Sequence, residues 1–308
     1  MVRIEELRKN YGKFQALDGM DLNIKKGELF GFVGPNGAGK TTTMRIMAGL
    51  LSADGGTVMV DDINVTTHPT KVKDKIGYMP DFFGVYDNLK AIEYMEFFAS
   101  IYGFYGKSAR KLCLEMMDLV NLADKENAYV DGLSRGMKQR LCLARCLIHS
   151  PELLILDEPA SGLDPRARFE MKEILRNLSD MGKTILISSH ILPELAEMCT
   201  NVGIVEHGKL VVSGTVEDIM SRMNSSNPLV IKFEEGQEDT IQFLKENPAI
   251  ENISLRGDKV YVGFQGNGME EGRLLSDMVG HGAVISSYGR EEGNLESLFM
   301  QITGNEEE

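Results

Sequence analysis

The sequence predicts an α/β fold with a P-loop NTPase core, an antiparallel β subdomain, a helical insert and a small C-terminal α+β domain. Three observations predict the core. The glycine-rich segment Gly34–Thr42 lies between an apolar run at 29–33, typical of a buried strand, and a helix-like segment. A continuous apolar run at 153–156 ends in two carboxylates, as in strands covered on both faces of a parallel sheet. A third buried strand is predicted at 184–190.

The glycine-rich segment has the spacing GxxxxGK[ST] of a phosphate-binding P-loop. Glycines let the backbone bend around several phosphate charges and present N–H groups, and the following helix N-terminus adds unpaired donors. We expect Lys40 to reach the β- and γ-phosphates and Thr41 to bind Mg²⁺. A glycine-rich turn with a chance lysine is the alternative, which the flanking strand and helix disfavour. The predicted phosphate-binding residues are Gly34, Pro35, Asn36, Gly37, Ala38, Gly39, Lys40, Thr41 and Thr42.

The segments before and after the P-loop predict the antiparallel β subdomain and the helical insert. Residues 2–8 and 17–24 alternate apolar and polar side chains, which predicts two strands joined by a turn at 10–13. Tyr11 on that turn is able to stack on an adenine ring, and an ordinary turn tyrosine is an equally good interpretation. Helical periodicity over residues 88–150 predicts an insert at about 82–150.

Composition and charge restrict the class of protein. The chain has 308 residues, 43% of them hydrophobic, which is enough for one large or two ordinary domains. It has no apolar run of about 18 residues and its N-terminus is charged, so we expect neither a transmembrane helix nor a signal peptide. Four cysteines without a CxxC pair favour a reducing cytoplasm, with Cys142 and Cys146 in the core. Residues 225–308 hold 16 acidic and 6 basic side chains, which argues against nucleic-acid binding.

Three polar side chains follow the buried strands. Ligands of open α/β sheets bind at the carboxyl ends of the strands, where Asp157, Glu158 and His190 are predicted to lie. Asp157 suits Mg²⁺, directly or through water, and Glu158 suits a base that orients or deprotonates water. A neutral His190 is suited to hydrogen-bond a γ-phosphate or that water. A surface acidic pair is the alternative, disfavoured by the P-loop in the same chain.

A helix with a basic first half closes the insert. Ser134 is a good N-cap for a helix that runs to about residue 148. Positive charge near a helix N-terminus opposes the helix dipole, so an anion facing that end would relieve the conflict. The alternative is a solvated basic helix. The basic residues are Arg135, Lys138, Arg140 and Arg145.

Six segments in this order resemble those of the ATP-binding cassette (ABC) ATPases, the nucleotide-binding subunits of ABC transporters. The resemblance covers roughly residues 2–222, and we expect the ATPase domain to comprise residues 1–222. The segments correspond to the family's base-stacking aromatic, Walker A loop, signature, Walker B strand, D-loop and switch histidine. In chain order they are Tyr11, Gly34–Thr42, Leu133–Arg140, Leu153–Pro159, Ser161–Pro165 with Asp164, and His190.

The resemblance implies a dimer of ATPase domains, packed head to tail, that traps two ATP molecules with Mg²⁺. Each ATP would lie between the P-loop of one copy and the signature residues of the other, here Ser134, Arg135 and Gly136, with Glu158 as catalytic base. Arg135 and Met137 depart from the usual glycine and glutamine of the signature. Asp81 replaces the glutamine that usually contacts Mg²⁺. We retain it as a candidate metal ligand beside Thr41 and Asp157.

The resemblance also implies an integral membrane permease as partner and a position on the inner face of the cell membrane. In the family, the permease contacts the insert near residues 81–86, whose apolar side chains are equally consistent with the insert's own core. These are Phe82, Phe83, Val85 and Tyr86. After a linker at 223–228, the pattern predicts a βαββαβ domain at 228–308. Its closing segment, 294–304, resembles the end of ABC-2 type exporter ATPases.

Three functions are compatible with these residues. The leading hypothesis is an ATP-hydrolysing subunit that powers a separate permease, in export. A soluble ABC ATPase with a non-transport task is the alternative, although the two-cassette and coiled-coil forms of such relatives differ from this chain. A non-hydrolysing nucleotide sensor is disfavoured because Glu158 and His190 are both present.

Overall fold

The computed structural model describes residues 1–82, 84, 88–219 and 228–290, without the side chain of Leu192. The chain divides into two compact units, Met1–Val216 and Glu217–Glu308. Three segments named above lie wholly or partly outside the described residues: the apolar group at 82–86 except Phe82, the linker except Pro228, and the closing segment 294–304.

An antiparallel sheet of four strands opens the first unit, in the order β2-β1-β4-β5. These strands are β1 (Val2–Tyr11), β2 (Phe14–Ile24), β4 (Gly55–Val60) and β5 (Ile63–Asn64). The first hairpin is tighter than predicted, because Tyr11 pairs with Phe14 and leaves only a two-residue turn. Gly12 has φ +60° there, a conformation that glycine adopts without strain. The predicted antiparallel subdomain is confirmed.

The second sheet of this unit has six strands in the order β10-β9-β3-β8-β7-β6. The strands from β9 to β6 run parallel, and β10 pairs antiparallel with β9. Every residue of β3, β7 and β8 is buried and most are apolar, as in parallel sheets that are covered on both faces. The strands are β3 (Leu29–Val33), β6 (Ile76–Met79), β7 (Leu153–Leu156), β8 (Thr184–Ser189), β9 (Asn201–Glu206) and β10 (Lys209–Thr215).

In the described part of the first unit, six α-helices connect these strands. Three belong to the predicted helical insert, and α4 returns the chain from the insert to β7. None of the helices in the described part of the chain is long and apolar enough to cross a membrane. The helices are α1 (Lys40–Met47), α2 (Ala91–Ile101), α3 (Gly106–Leu119), α4 (Arg135–Leu147), α5 (Pro165–Asp180) and α6 (Leu192–Ala196).

The second unit contains the predicted βαββαβ order. Its antiparallel sheet has the order β12-β13-β11-β14, the ferredoxin-like arrangement, and apolar residues of its strands and two helices form its own core. The helices are Gln237–Lys245 and Gly268–Gly280. The strands are β11 (Leu229–Glu235), β12 (Ile250–Arg256), β13 (Lys259–Phe264) and β14 (Val284–Arg290).

Candidate active site

Strand order brings the predicted site residues together at one edge of the six-stranded sheet. The P-loop follows β3, Asp157 and Glu158 follow β7, and β8 lies between these two strands. Because the three strands are parallel, their carboxyl ends meet at the same edge. His190 directly follows β8 and is therefore centred between the loop and the carboxylates.

The three loop glycines are needed for two different reasons. Gly37 and Gly39 have φ +85° and +107°, backbone conformations that residues with a side chain rarely adopt. Gly34 is needed because the loop approaches other backbone closely, since a Cβ there would lie 2.3 Å from the Val205 carbonyl oxygen. Gly39 is also the N-cap of α1, so no side chain caps this helix N-terminus. The first N–H groups of α1 are therefore available to an anion.

Lys40 is held against its own loop. Its Nζ donates to the carbonyl oxygens of Gly34 at 2.6 Å and Pro35 at 3.1 Å, and the side chain is buried. Burial lowers the pKa of the Lys40 ammonium, against the opposing attraction of Glu158 and Asp157. The lysine is thus positioned at the loop before any phosphate arrives. Among the other loop residues, Ala38 is buried, Thr42 is half-buried, and Pro35, Asn36 and Thr41 are exposed.

Asp157 is almost fully buried, with 1% of its surface exposed. One carboxylate oxygen, Oδ1, accepts a hydrogen bond from the Ser188 hydroxyl at 2.6 Å. The other, Oδ2, is buried and has no hydrogen-bond partner among the described residues. A buried carboxylate oxygen without a partner is costly unless something binds it. Ser188 was not singled out by the sequence reasoning.

Glu158 and His190 form a pair at this edge. His190 Nδ1 lies 3.1 Å from Glu158 Oε2, and the glutamate side chain is mostly buried while the imidazole is half-exposed. Burial raises the pKa of the Glu158 carboxyl, although His190 and Lys40 oppose the rise. The Glu158 backbone has φ +50°, which is strained for a residue with a side chain, and such outliers are common at functional sites.

The signature segment begins α4 on a different part of the first unit. Ser134 is the N-cap, and its hydroxyl accepts the Met137 N–H at 3.3 Å. Gly136 is buried against α5, since a Cβ there would lie 2.7 Å from the Cβ of Ala167. The exposed Arg135 guanidinium packs on Gly162 of the D-loop.

Two of the four basic residues of α4 serve inside the unit, so they are not available to an external anion. Arg140 is buried, donates to the carbonyl oxygens of Val120 and Asn121, and pairs with Glu170 at 3.1 Å. Arg145 donates to the Tyr94 hydroxyl at 3.0 Å. Arg135 is exposed and Lys138 is half-buried, and these two are the basic residues nearest the helix N-terminus, so the sequence reasoning overestimated the positive charge that this end offers to an anion.

One hydrogen bond connects the signature helix with the segment after β7, and a helix cap within that segment begins α5. Gln139, which the sequence reasoning placed in the signature without a separate role, is buried and donates from Nε2 to the Ser161 carbonyl oxygen at 3.2 Å. Asp164 caps α5, because its Oδ1 accepts the Ala167 N–H at 2.9 Å. A hydrogen bond therefore holds the signature helix α4 against the segment after β7, and the D-loop leads directly into α5.

The remaining candidates lie on the surface or in the core. Tyr11 is 46% exposed, with Lys9 Nζ 5.9 Å from its ring centre, so its ring is accessible for stacking. Asp81 is exposed, and Phe82 is 90% exposed, which does not fit a core role for that side chain. Cys142 and Cys146 are buried, as predicted for core residues.

The residues at the sheet edge fit a magnesium site of the kind that P-loops form with nucleotide. Asp157 Oδ2 is a hard oxygen donor without a partner, and the Thr41 hydroxyl is exposed in the first turn of α1. No group of three or more metal-ligating side chains occurs among the described residues, so protein side chains alone do not form a metal cage. Mg²⁺ usually takes few protein ligands and is completed by phosphates and water.

Comparison with known proteins shows which family this chain is similar to. Residues 17–161 match the family described as ABC transporter. The linearmycin resistance ATP-binding protein LnrL of Bacillus subtilis is 31% identical over 306 residues, which span 99% of this chain and 98% of that protein. The bacitracin transport ATP-binding protein BcrA of Bacillus licheniformis is 32% identical, over 99% of this chain and 97% of that protein. A Nod factor export ATP-binding protein I of Cupriavidus metallidurans is 30% identical, over 99% of this chain and 98% of that protein.

Solved structures give the same fold for part of the chain. The dimeric post-hydrolysis state of the ATP-binding cassette MJ0796, bound to ADP and Pi, is similar with a TM-score of 0.64 and 27% identity. That similarity covers 70% of this chain and 99% of the cassette.

Proposed function

This chain belongs to the family of ABC transporter ATP-binding proteins, and we propose that it hydrolyses ATP at the sheet edge described above, with Asp157, Glu158 and His190 as the acting side chains. Family membership makes it an ATPase subunit that powers a membrane transporter. The geometry of this chain supports the role that we propose for each residue.

One observation carries the assignment of the base. The Glu158 carboxylate is mostly buried, bonded to His190 at 3.1 Å, and close enough to Lys40 for their charges to interact. Its raised pKa makes it a better proton acceptor than a solvated glutamate. His190 orients the carboxylate, and its exposed part is able to contact the γ-phosphate or the attacking water.

The phosphates are proposed to bind at the P-loop. Lys40 would exchange its two loop carbonyl partners for β- and γ-phosphate oxygens, and the uncapped end of α1 would supply N–H donors. Tyr11 would stack on the base. Thr41 and Asp157 would hold Mg²⁺, which neutralises phosphate charge when bound. Asp81, exposed beside this edge, is the further candidate ligand.

We further propose that two copies pack head to tail and that Ser134, Arg135 and Gly136 face the ATP of the partner copy. The dimeric cassette with 27% identity supports this arrangement. An integral membrane permease would complete the transporter and hold this subunit on the cytoplasmic face of the membrane. The names of the relatives, linearmycin resistance and Nod factor export among them, favour export of a small molecule.

Substitution of the base tests the assignment. Glu158→Gln should lower ATP turnover by about 10²–10⁴-fold and leave ATP binding intact, because the amide keeps the size and loses the proton acceptor. Glu152→Gln is the matched control, since Glu152 precedes the same strand at its opposite end and pairs with Lys26 and Lys75. Near-normal turnover in Glu158→Gln would reject the proposed base.

Co-purification tests the transporter assignment against a soluble ATPase. We expect a tagged chain to retain a neighbouring-gene product with about six apolar spans of transmembrane length. Retention of only non-membrane partners, with full ATP turnover, would favour the soluble alternative.

A further inference from the structure

Ser188 occupies a place at the sheet edge to which no role has been given. Strand β8 lies between the P-loop strand and β7, and Ser188 is paired in register with Phe32 of β3. On the other side, Leu156 pairs with Ile187, so the next residues along the two strands, Asp157 and Ser188, are neighbours. The Ser188 side chain is 1% exposed.

The Ser188 hydroxyl makes two hydrogen bonds. One is to Asp157, the proposed metal ligand, and the other is to Glu158, the proposed base. The hydroxyl donates to Asp157 Oδ1 at 2.6 Å and accepts the Glu158 backbone N–H at 2.9 Å. A hydroxyl is the group that is able to do both, since it has one donor and two acceptor lone pairs. An alanine would leave both partners without their bond, and valine would do the same.

The two bonds restrict different motions. The bond to Oδ1 stops rotation of the Asp157 carboxylate and leaves Oδ2 as the oxygen without a partner. The bond from the Glu158 N–H holds a residue whose φ of +50° is unfavourable for a side-chain-bearing residue. Groups that orient a metal-binding carboxylate commonly change metal affinity by about 10–100-fold when they are removed.

We propose that Ser188 is a positioning residue that aims Asp157 Oδ2 at the magnesium ion and holds the Glu158 backbone in its working conformation. This role rests on the proposed magnesium site. It predicts that Ser188 sets how much Mg²⁺ the protein needs, and that binding of nucleotide without metal does not depend on it.

The test compares two buried hydroxyls on one strand. Ser188→Ala removes the proposed positioning hydroxyl. Thr184→Val is the control, because the Thr184 hydroxyl accepts the Gly27 N–H at 2.9 Å at the opposite end of β8 and valine keeps its shape. For each protein, thermal stabilisation by a non-hydrolysable ATP analogue is measured in EDTA and then as a function of free Mg²⁺.

With Ser188→Ala, the stabilisation in EDTA should equal that of the wild type. The further stabilisation by Mg²⁺ should need about tenfold more free Mg²⁺ to reach half its maximum. Turnover at saturating Mg²⁺ should also fall, while Thr184→Val changes neither quantity. Ser188→Thr, which restores a hydroxyl, should return the Mg²⁺ requirement toward the wild-type value. If Ser188→Ala does not fold, Ser188→Cys replaces it, since a thiol is only a weak donor.

Two kinds of result would overturn the role of Ser188. They differ in whether they also contradict the proposed magnesium site. A wild-type Mg²⁺ requirement in Ser188→Ala, or an equal shift in Thr184→Val, rejects Ser188 as a positioning residue and leaves the proposed function standing. A wild-type protein whose stabilisation by the analogue is independent of Mg²⁺ rejects the magnesium site itself and Ser188 with it.

Discussion

Two helix N-termini of the first unit differ in how their backbone N–H groups are satisfied. The end of α1 is capped by Gly39, which has no side chain, whereas the end of α4 is capped by the Ser134 hydroxyl. Neither helix has an acidic residue in its first turn to balance the dipole. The α1 end therefore leaves all of its first N–H groups to an anion, whereas the Ser134 hydroxyl already satisfies one of the N–H groups at the α4 end.

The glycines at the N-termini of α1 and α4 also differ, because each is required for a different physical reason. Gly39 is required by its backbone angle, φ +107°, and by the nearby Ala16 carbonyl oxygen. Gly136 is required by packing against Ala167 of α5. One glycine shapes a ligand-binding loop, and the other lets two helices come close. Substitutions at the two ends should therefore affect different quantities.

Among substitutions at the two helix ends, Gly39→Ala should have the largest effect. Alanine at φ +107° costs about 1–3 kcal/mol of backbone strain, and its Cβ would lie 2.8 Å from the Ala16 carbonyl oxygen. The loop must then distort, so ATP affinity should fall about 100-fold, measured by titration with a fluorescent ATP analogue. Gly182→Ala is the control, because Gly182 also has a positive φ but has open space around it and precedes β8 at the end away from the site. Equal losses in both variants would contradict the explanation.

Gly136→Ala should act on stability and not on ATP affinity. The new methyl group must displace Ala167, which overpacks the contact between α4 and α5 at a cost of about 1–3 kcal/mol in the free energy of unfolding. Denaturant unfolding measures this cost. A fall in ATP affinity at an unchanged free energy of unfolding would show that the two helix ends are not independent.

Ser134→Ala should lower the free energy of unfolding by about 1 kcal/mol, the usual cost of a lost N-cap. Asn267→Ala is the matched control in the second unit, where Asn267 caps the helix Gly268–Gly280. Both variants should lose similar stability, but only Ser134→Ala should lower ATP turnover, by about tenfold for a lost bond to a charged group. Equal turnover in the two variants would contradict the proposal that Ser134 contacts the ATP of the partner copy.

The smallest effect is a shift of the pH–rate profile. Burial raises the pKa of Glu158, so the base takes up a proton, and turnover falls, at a higher pH than for an ordinary glutamate. His190 opposes this rise, so His190→Ala should move the acid limb to still higher pH, in addition to lowering the rate. An acid limb that stays in place in that variant would indicate that another group controls it.

Much of the site was predictable because its signals are local. The P-loop spacing, the apolar strand at 153–156 and the N-cap at Ser134 each depend on a few neighbouring residues, and the structure contains all three elements. Arg140 and Arg145 were assigned to an exposed helix end because periodicity does not show which polar side chains find buried partners. Ser188 and Gln139 gave no local signal, since a serine in a strand or a glutamine in a helix is ordinary.

The sequence by itself determined which segments are strands and helices, where glycine lets the backbone turn, and which family the chain resembles. Only the tertiary structure decided that β8 lies between β3 and β7, because strand order depends on pairings between residues far apart in the chain. That order brings Ser188 to Asp157 and His190 to Glu158 across about 30 residues of sequence. Local periodicity has no means of encoding which strands become neighbours.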